Sequence, residues 1–435
     1  MAGPAAAVEP DTALPLTEPP APAVLPTTTG PEYFDTPRDL TGCPHQTRPP
    51  APVDESEVPL PGQTSPAPVP VPQSPPGGEA LHGCDVAAPD GFEVPVEVTA
   101  SSWMISDLDT GEIVAARDAH GRYRPASLIK TLLASVALDR LELDEIVEVT
   151  EADLEGAEGS LVGIGPGGMY SVERLLHGLL LSSGNDAATV LAHQMGGVEA
   201  TLAAMNEYAV ELGAVSTRAA SVSGLDGPGM MSSAYDMSLI FGDAMSRPEF
   251  ARMVAVESIG FPGYPAGEGA SPPDPATAPP YSGPVVRDDG VVVNPGFVVG
   301  NDNQLLYNYP GALGGKTGFT NDSRHTFVGA AERDGRRLAV VLLDCTRVPS
   351  APWEQAAVLL DAGFAARGSV GQLEAGPHVE TDDATERLAS GPLAGSDGSA
   401  AAPGSVVGRY GPWLAVGAAG LVMLVGTGFV LRSRR

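Results

Sequence analysis

Ser127 and Lys130 stand three residues apart in the run Arg124-Pro125-Ala126-Ser127-Leu128-Ile129-Lys130. Pro125 suits the first turn of a helix, so the pair is expected on one helix face. The stretch from Leu128 to Leu138 is apolar nearly all round, the pattern of a buried helix, expected from Ala126 to about Leu141. Burial disfavours an ammonium, and the positive end of the helix pushes the same way. A neutral Lys130 could take the proton of Ser127 and make it nucleophilic. A second hydroxyl and an amide occur at Ser183-Gly184-Asn185, between the helix end Leu179-Leu180-Leu181-Ser182 and a new helix start at Asp186. A tight loop there can aim both groups into a cleft. Lys316-Thr317-Gly318 follows Gly314-Gly315 and leads into strands near Phe327. Glycines let another backbone approach an edge strand, where an extended peptide can add alongside. Lys316 contributes a positive charge and Thr317 a hydroxyl. Taken singly, each pattern also suits an ordinary role: a snorkelling lysine, a polar turn, a basic turn beside a strand.

Composition sharpens the choice. Of 24 basic side chains only two are lysines, Lys130 and Lys316, and both fall inside these patterns. An arginine effectively cannot give up its proton as a lysine can, so these two positions are where proton chemistry is expected. The elements that must position them are legible in outline. Ser102–Leu108 and Glu112–Ala116 read as strands joined by the turn Asp109-Thr110-Gly111. Residues 150–250 read as mainly helical, and Gly263–Asp289 as a Pro/Gly-rich surface loop. Phe327–Ala331 and Leu338–Leu343 flank a second hairpin turn, and Trp353–Ala366 is an amphipathic helix. Strands at both ends with helices between them predict one sheet assembled from distant sequence, with a helical insertion against it.

In the order S-x-x-K, S-x-N, K-T-G, the three patterns resemble those of the penicillin-binding and serine β-lactamase superfamily. Within it the chain looks like the low-molecular-mass D-alanyl-D-alanine carboxypeptidases. Arg124–Ser127, Leu180–Ala187, Gly224-Leu225, Ala234–Asp236 and Leu305–Thr320 carry the likeness further, over about residues 100 to 366. The resemblance implies an α/β (α+β), β-lactamase/transpeptidase-like three-layer fold: a mainly antiparallel sheet sandwiched by helices, with a helical subdomain. It implies that Ser127 attacks the penultimate D-alanine of a peptidoglycan stem pentapeptide and forms an acyl-enzyme. Lys130 would be the general base, and Ser183, helped by Lys316, would relay a proton to the leaving D-alanine. Asn185, Lys316, Thr317, Gly318 and Phe319 would bind substrate, Asn185 also orienting Lys130 and Thr317 helping to hold the terminal carboxylate. The N–H groups of Ser127 and Phe319 would form the oxyanion hole. No metal or cofactor is implied, and β-lactams would acylate Ser127 as inhibitors.

Three rivals remain at this point. A class A β-lactamase usually has S-D-N as its middle motif and needs a deacylating glutamate in an E-x-x-L-N context, and no such stretch lies between Asn185 and Lys316. A transpeptidase differs only in the acyl acceptor. A non-catalytic, membrane-tethered wall-binding module would fit the Pro-rich and acidic flanks but leaves the full motif set without a purpose.

The formal net charge of -30 argues against a nucleic-acid partner, which needs clustered Lys and Arg. Residues 1–98 read as a Pro-rich, largely disordered extracellular arm, with Ser65–Pro72 a polyproline II spacer. Residues 99–366 form the catalytic domain, and 367–409 an acidic Gly/Ala linker. Within 410–431, the 19 uncharged residues Trp413–Leu431 suit a transmembrane helix, and Arg432–Arg435 a cytoplasmic basic tail, with the catalytic domain outside. Met1–Ala7 lacks the charged and apolar regions of a signal peptide, so an upstream start is expected, and an upstream frame with no hydrophobic segment would refute it. The scattered histidines and three cysteines hold no zinc pattern. In an exported chain Cys43 and Cys84 could pair and clip the arm, or stand free. Cys345 reads as a buried residue at a strand end.

Overall fold

Strand β13 (Arg336–Cys345) is buried on both faces because alternate residues enter different cores. Leu338, Val340 and Leu342 face one, and Ala339, Val341 and Leu343 the other. Its neighbour β2 (Ser102–Asp107) does the same, with Trp103 and Ile105 on one side and Met104 on the other. A strand covered on both faces belongs at the centre of a three-layer domain, and these two pair directly.

The computed structural model describes residues 31–267, 269–271, 283–374 and 376. Its main sheet is antiparallel, in the order β1 (Val86–Ala87), β3 (Glu112–Arg117), β2, β13, β12 (Arg324–Arg333), β11 (Ala312–Thr320), and β14 (Gly371–Gln372) also pairs with β3. One face packs on α8 (Gln304–Asn308) and α9 (Pro352–Ala365). The other packs on α6 (Ala234–Ser246), behind which α2 (Lys130–Arg140) is enclosed by α3 (Val172–Leu181), α4 (Asn185–Gln194) and α5 (Val198–Glu211). The helix α7 (Pro248–Val254) joins this subdomain to β11. Lys130 to Ala137 are all buried, as the all-round apolar pattern requires. The expected helix from Ala126 begins instead as a 3-10 turn, Ala126–Ile129, with α geometry from Lys130. Ala126 has φ 49°, outside the right-handed region, so the chain enters the helix through a tight turn.

Smaller strands complete the domain: β4 (Ile146–Glu148) with β5 (Met169–Ser171), and β6 (Ser258–Phe261) with β10 (Phe297–Gly300). The segment Gly263–Asp289, expected as a surface loop, contributes two strands: β7 (Tyr264–Pro265) and β8 (Val285–Val286) flank β9 (Val292–Asn294) in a small sheet. A Cβ on Gly165 would come 2.0 Å from the Tyr264 ring, so the glycine is what lets this excursion lie close to the 156–168 loop.

The largest departure from expectation is the arm. Residues 1–30 lie outside the described residues, but 31–98 are not a loose tether. They begin with α1 (Pro31–Asp35) and lie along the domain as an irregular strap. The polyproline stretch docks because such a backbone leaves its carbonyls free, and Arg122 collects two of them: it donates to Val69 O and to Pro70 O at 2.6 Å, and it also reaches Thr47 O at 3.3 Å, earlier in the arm. Cys43 and Cys84 are joined by a disulfide across a separation of 41 residues. Closing a loop of that size stabilises by about 4 kcal/mol in the chain-entropy account. Cys345 is free and buried at the end of β13. Among the described residues no helix is long and apolar enough to cross a membrane, and Trp413–Leu431 lies outside them, as does most of the 367–409 linker.

Candidate active site

The three motifs meet. Lys130 Nζ lies 2.9 Å from Ser127 Oγ and 2.7 Å from Asn185 Oδ1, and donates to the carbonyl of Ser223. Ser127 Oγ is itself 3.3 Å from that carbonyl. Ser127 lies in the first turn of its helix, where amide N–H groups have no intrahelical partner. The strand β11 passes directly alongside: a Cβ on Gly318 would come within 3.0 Å of Ser127 N and 2.3 Å of Thr326 Oγ1. Glycine at that position is therefore the condition for the K-T-G strand to reach the nucleophile turn. Thr326 Oγ1 in turn donates to Pro125 O at 2.9 Å, tying β12 to the same turn. Among the described residues β11 ends the sheet order, the position at which an extended peptide can add as a further strand.

Ser183 is buried and takes φ 62° in the short turn between α3 and α4, a left-handed conformation uncommon for a serine. Such outliers gather at functional sites. Gly184 follows because a Cβ there would meet Val162 Cγ2 at 2.3 Å. Asn185 Nδ2 donates to Glu158 O, which leaves Oδ1 turned to Lys130. Asp186 accepts from the N–H groups of Val162 at 2.9 Å, Gly163 at 2.9 Å and Ile164 at 3.3 Å, and so pins the loop that orients Asn185.

Both lysines are fully buried. Burial, reinforced by the like charge of Lys316, drives the Lys130 ammonium well below the usual lysine range, and the Asp186 carboxylate only partly opposes it. Lys316 is lowered to about 8, again by burial, against the pull of Asp302. Its Nζ donates to Thr317 O at 2.8 Å. The arrangement thus holds one amine poised to accept a proton beside a hydroxyl, and a second that is largely charged at neutral pH. That is the equipment of covalent acyl transfer by an activated serine. Thr317 and Phe319 extend along β11 beyond Lys316, and Phe319 is exposed at the cleft rim, its ring 4.6 Å from that of His325.

All eight expected site residues, Ser127, Lys130, Ser183, Asn185, Lys316, Thr317, Gly318 and Phe319, lie on these three segments. Sequence reasoning missed Ser223. It acts through its main-chain carbonyl, which leaves no mark on residue type. Gly224 beside it has φ 88°, and a Cβ would come 2.2 Å from Ala126 O, so the Gly224-Leu225 pair was the available signal for that contact. Asp302 beside Lys316 was also missed, since a lone aspartate in a loop has no distinguishing context.

A family model described as D-alanyl-D-alanine carboxypeptidase matches residues 88–257. D-alanyl-D-alanine carboxypeptidase DacB2 of Mycobacterium tuberculosis is 44% identical over 294 residues, covering 66% of this chain and 88% of that protein. D-alanyl-D-alanine carboxypeptidase DacD of Escherichia coli is 36% identical over 177 residues, 38% of this chain and 46% of that protein. A crystal structure of D-alanyl-D-alanine carboxypeptidase from M. tuberculosis superposes with TM-score 0.56 at 43% identity, over 66% of this chain and 99% of that one. A mutant of the Streptomyces K15 DD-transpeptidase superposes with TM-score 0.53 at 26% identity, over 62% of this chain and 98% of that one.

Proposed function

The chain belongs to the D-alanyl-D-alanine carboxypeptidase family, and from that membership we propose how its own residues carry out the reaction. It is a serine hydrolase that removes a terminal D-alanine through an acyl-enzyme. Ser127 Oγ attacks the carbonyl carbon of the penultimate D-alanine, and neutral Lys130 takes its proton. The oxyanion faces the N–H groups of Ser127 and Phe319. When the amide breaks, Ser183 passes a proton to the departing D-alanine amine and takes one in turn from the Lys130 ammonium, which becomes a free amine again. Lys130 then deprotonates a water that attacks the ester, releasing the shortened stem peptide and restoring Ser127. Lys316 and Thr317 hold the terminal carboxylate while the peptide lies along β11, with Gly318 allowing the close approach. The observation that carries this reading is the buried, deprotonation-prone Lys130 at 2.9 Å from Ser127.

The acyl acceptor separates this reading from cross-linking, which the likeness to a DD-transpeptidase keeps in view. The full chain incubated with a stem pentapeptide ending in D-Ala-D-Ala is expected to yield the tetrapeptide and free alanine by mass spectrometry. A joined peptide dimer as the main product would make it a transpeptidase, and unchanged pentapeptide would refute both readings for this substrate. β-Lactams, which mimic the D-Ala-D-Ala end, are expected to acylate the same serine.

We also propose that Trp413–Leu431 anchors the chain in a membrane, with Arg432–Arg435 on the cytoplasmic side and the catalytic domain outside. An uncharged run of 19 residues closed by basic residues supports it. On alkaline extraction of membranes the full chain should stay in the pellet, and a chain stopped at residue 409 should be released. Release of both would refute the anchor.

A further inference from the structure

Four charged side chains bordering the active site are 2% exposed or less: Arg122, Arg124, Asp322 and Arg324. Each has partners in the strap. Arg122 holds three of its carbonyls. Arg124 donates to the Glu57 carboxylate and to Pro50 O at 2.8 Å. Asp322 accepts from Val53 N and from Ser56 Oγ at 2.9 Å. Arg324, besides its ion pair with Asp344, donates to Thr36 O at 2.7 Å and Tyr33 O at 3.2 Å.

The placement of these four is what matters. Arg122 and Arg124 lead straight into Pro125-Ala126-Ser127. Asp322 and Arg324 lie at the turn where β11 passes into β12. Both segments hold a residue in the left-handed region, Ala126 at φ 49° and Arg324 at φ 56°. Conformations of that kind persist only where the surroundings over-determine them. The strap grips the two segments together, and the Thr326–Pro125 hydrogen bond joins them from within. At the cleft rim the strap also lays Phe34 against Phe319, ring centres 5.9 Å apart.

We propose that residues 33–72 are a built-in part of the catalytic centre, holding the Ser127 turn in register with the K-T-G strand, and that Glu57 is a positioning residue acting on Ser127 through Arg124. The proposal rests on Ser127 being the nucleophile. A guanidinium removed from water needs acceptors for its N–H groups, and Glu57 supplies the one for Arg124 Nε. Without Glu57, Arg124 must turn towards Asp322 or Asp226, whose charges it already feels, or swing out to solvent. Either movement pulls on Pro125 and shifts Ser127 against Lys130 and β11. Displacement of a reacting group by about 1 Å costs up to roughly a hundredfold in rate.

The test uses the full chain as wild type, Glu57→Ala, Glu57→Gln and Ser127→Ala, each kept well below its own thermal midpoint. The rate constant of acylation by a fluorescent penicillin and the kcat and KM for a stem pentapeptide are measured. Glu57→Ala is expected to slow acylation and lower kcat about tenfold or more, with KM nearly unchanged. Glu57→Gln, whose amide oxygen still accepts from Arg124, should recover most of the rate. Wild-type rates in Glu57→Ala overturn the proposal, as do equal losses in the Ala and Gln variants, or a raised KM with kcat intact. If Glu57→Ala does not fold, Glu57→Asp takes its place: slowed acylation at unchanged KM supports the proposal and a wild-type rate overturns it. Labelling that survives in Ser127→Ala overturns the nucleophile assignment and this proposal together. An inert Ser127→Ala beside a wild-type Glu57→Ala overturns this proposal alone.

Discussion

Ser127→Ala is expected to abolish both release of D-alanine and covalent labelling by penicillin, with kcat falling on the order of 10,000-fold or more. The loss should be nearly pure chemistry. Ser127 Oγ hydrogen-bonds with Lys130 Nζ and the Ser223 carbonyl, and neither of these holds the strained Ala126 turn, the Thr326–Pro125 bond or the β11 approach, so its removal should leave those in place. The thermal midpoint should therefore stay close to that of the wild type, and the variant should still bind substrate. Mass spectrometry of the penicillin-treated protein checks this directly. An adduct persisting on the alanine variant would show that another residue carries the acyl group.

Lys130→Arg should be almost as damaging, although it keeps a nitrogen donor and much of the length. A guanidinium does not give up its proton at any working pH, so it can neither accept the proton of Ser127 nor activate the hydrolytic water. A loss of roughly 100- to 10,000-fold in kcat is the usual scale for removing a general base. The wild-type pH profile should show why. Burial lowers Lys130, so activity rises as pH climbs through its depressed value and the ammonium becomes a free amine. In the proposed mechanism Lys316 must stay charged to hold the substrate carboxylate, so kcat/KM should fall again as pH passes about 8 and that ammonium is lost. The sign is the same for both groups, each buried cation losing its proton early, but the consequences are opposite because one is needed neutral and the other charged. Lys316→Arg should remove the alkaline limb. A limb unmoved in Lys316→Arg would show that another group sets it, and full activity in Lys130→Arg would exclude Lys130 as the base.

Much of the centre was legible before any fold was known, and the reason is chemical. Reaction groups are side chains, and the chain retained lysine at only two positions, both beside a hydroxyl. The strand pairs β2–β3 and β12–β13 were legible because each carries apolar residues around a turn of Gly and Asp. The buried α2 was legible because its apolar residues run around the whole helix. The insertion after Gly263 was misread as loop because its strands are two or three residues long, below the length at which alternation can register. The strap was misread for a deeper reason. Composition reports whether a segment can bury its own apolar surface, and a Pro-rich acidic stretch cannot. It does not report that Arg122, Arg124, Asp322 and Arg324, each on another part of the chain, will bind that segment's carbonyls, N–H groups and carboxylates.

The amino-acid sequence by itself therefore determined which residues are the candidates for nucleophile and base, for the hydroxyl and amide of the second motif, and for the cationic strand, because these are matters of functional-group type at short spacing. Only the tertiary structure decided the Ser223 carbonyl on Lys130, the glycines that admit β11 beside Ser127, the Cys43–Cys84 link and the seating of the strap. Those contacts join main-chain atoms and residues far apart in the chain. Every residue carries the same carbonyl, and every residue but proline the same N–H, so nothing else in residue type distinguishes the ones that folding will bring to the site.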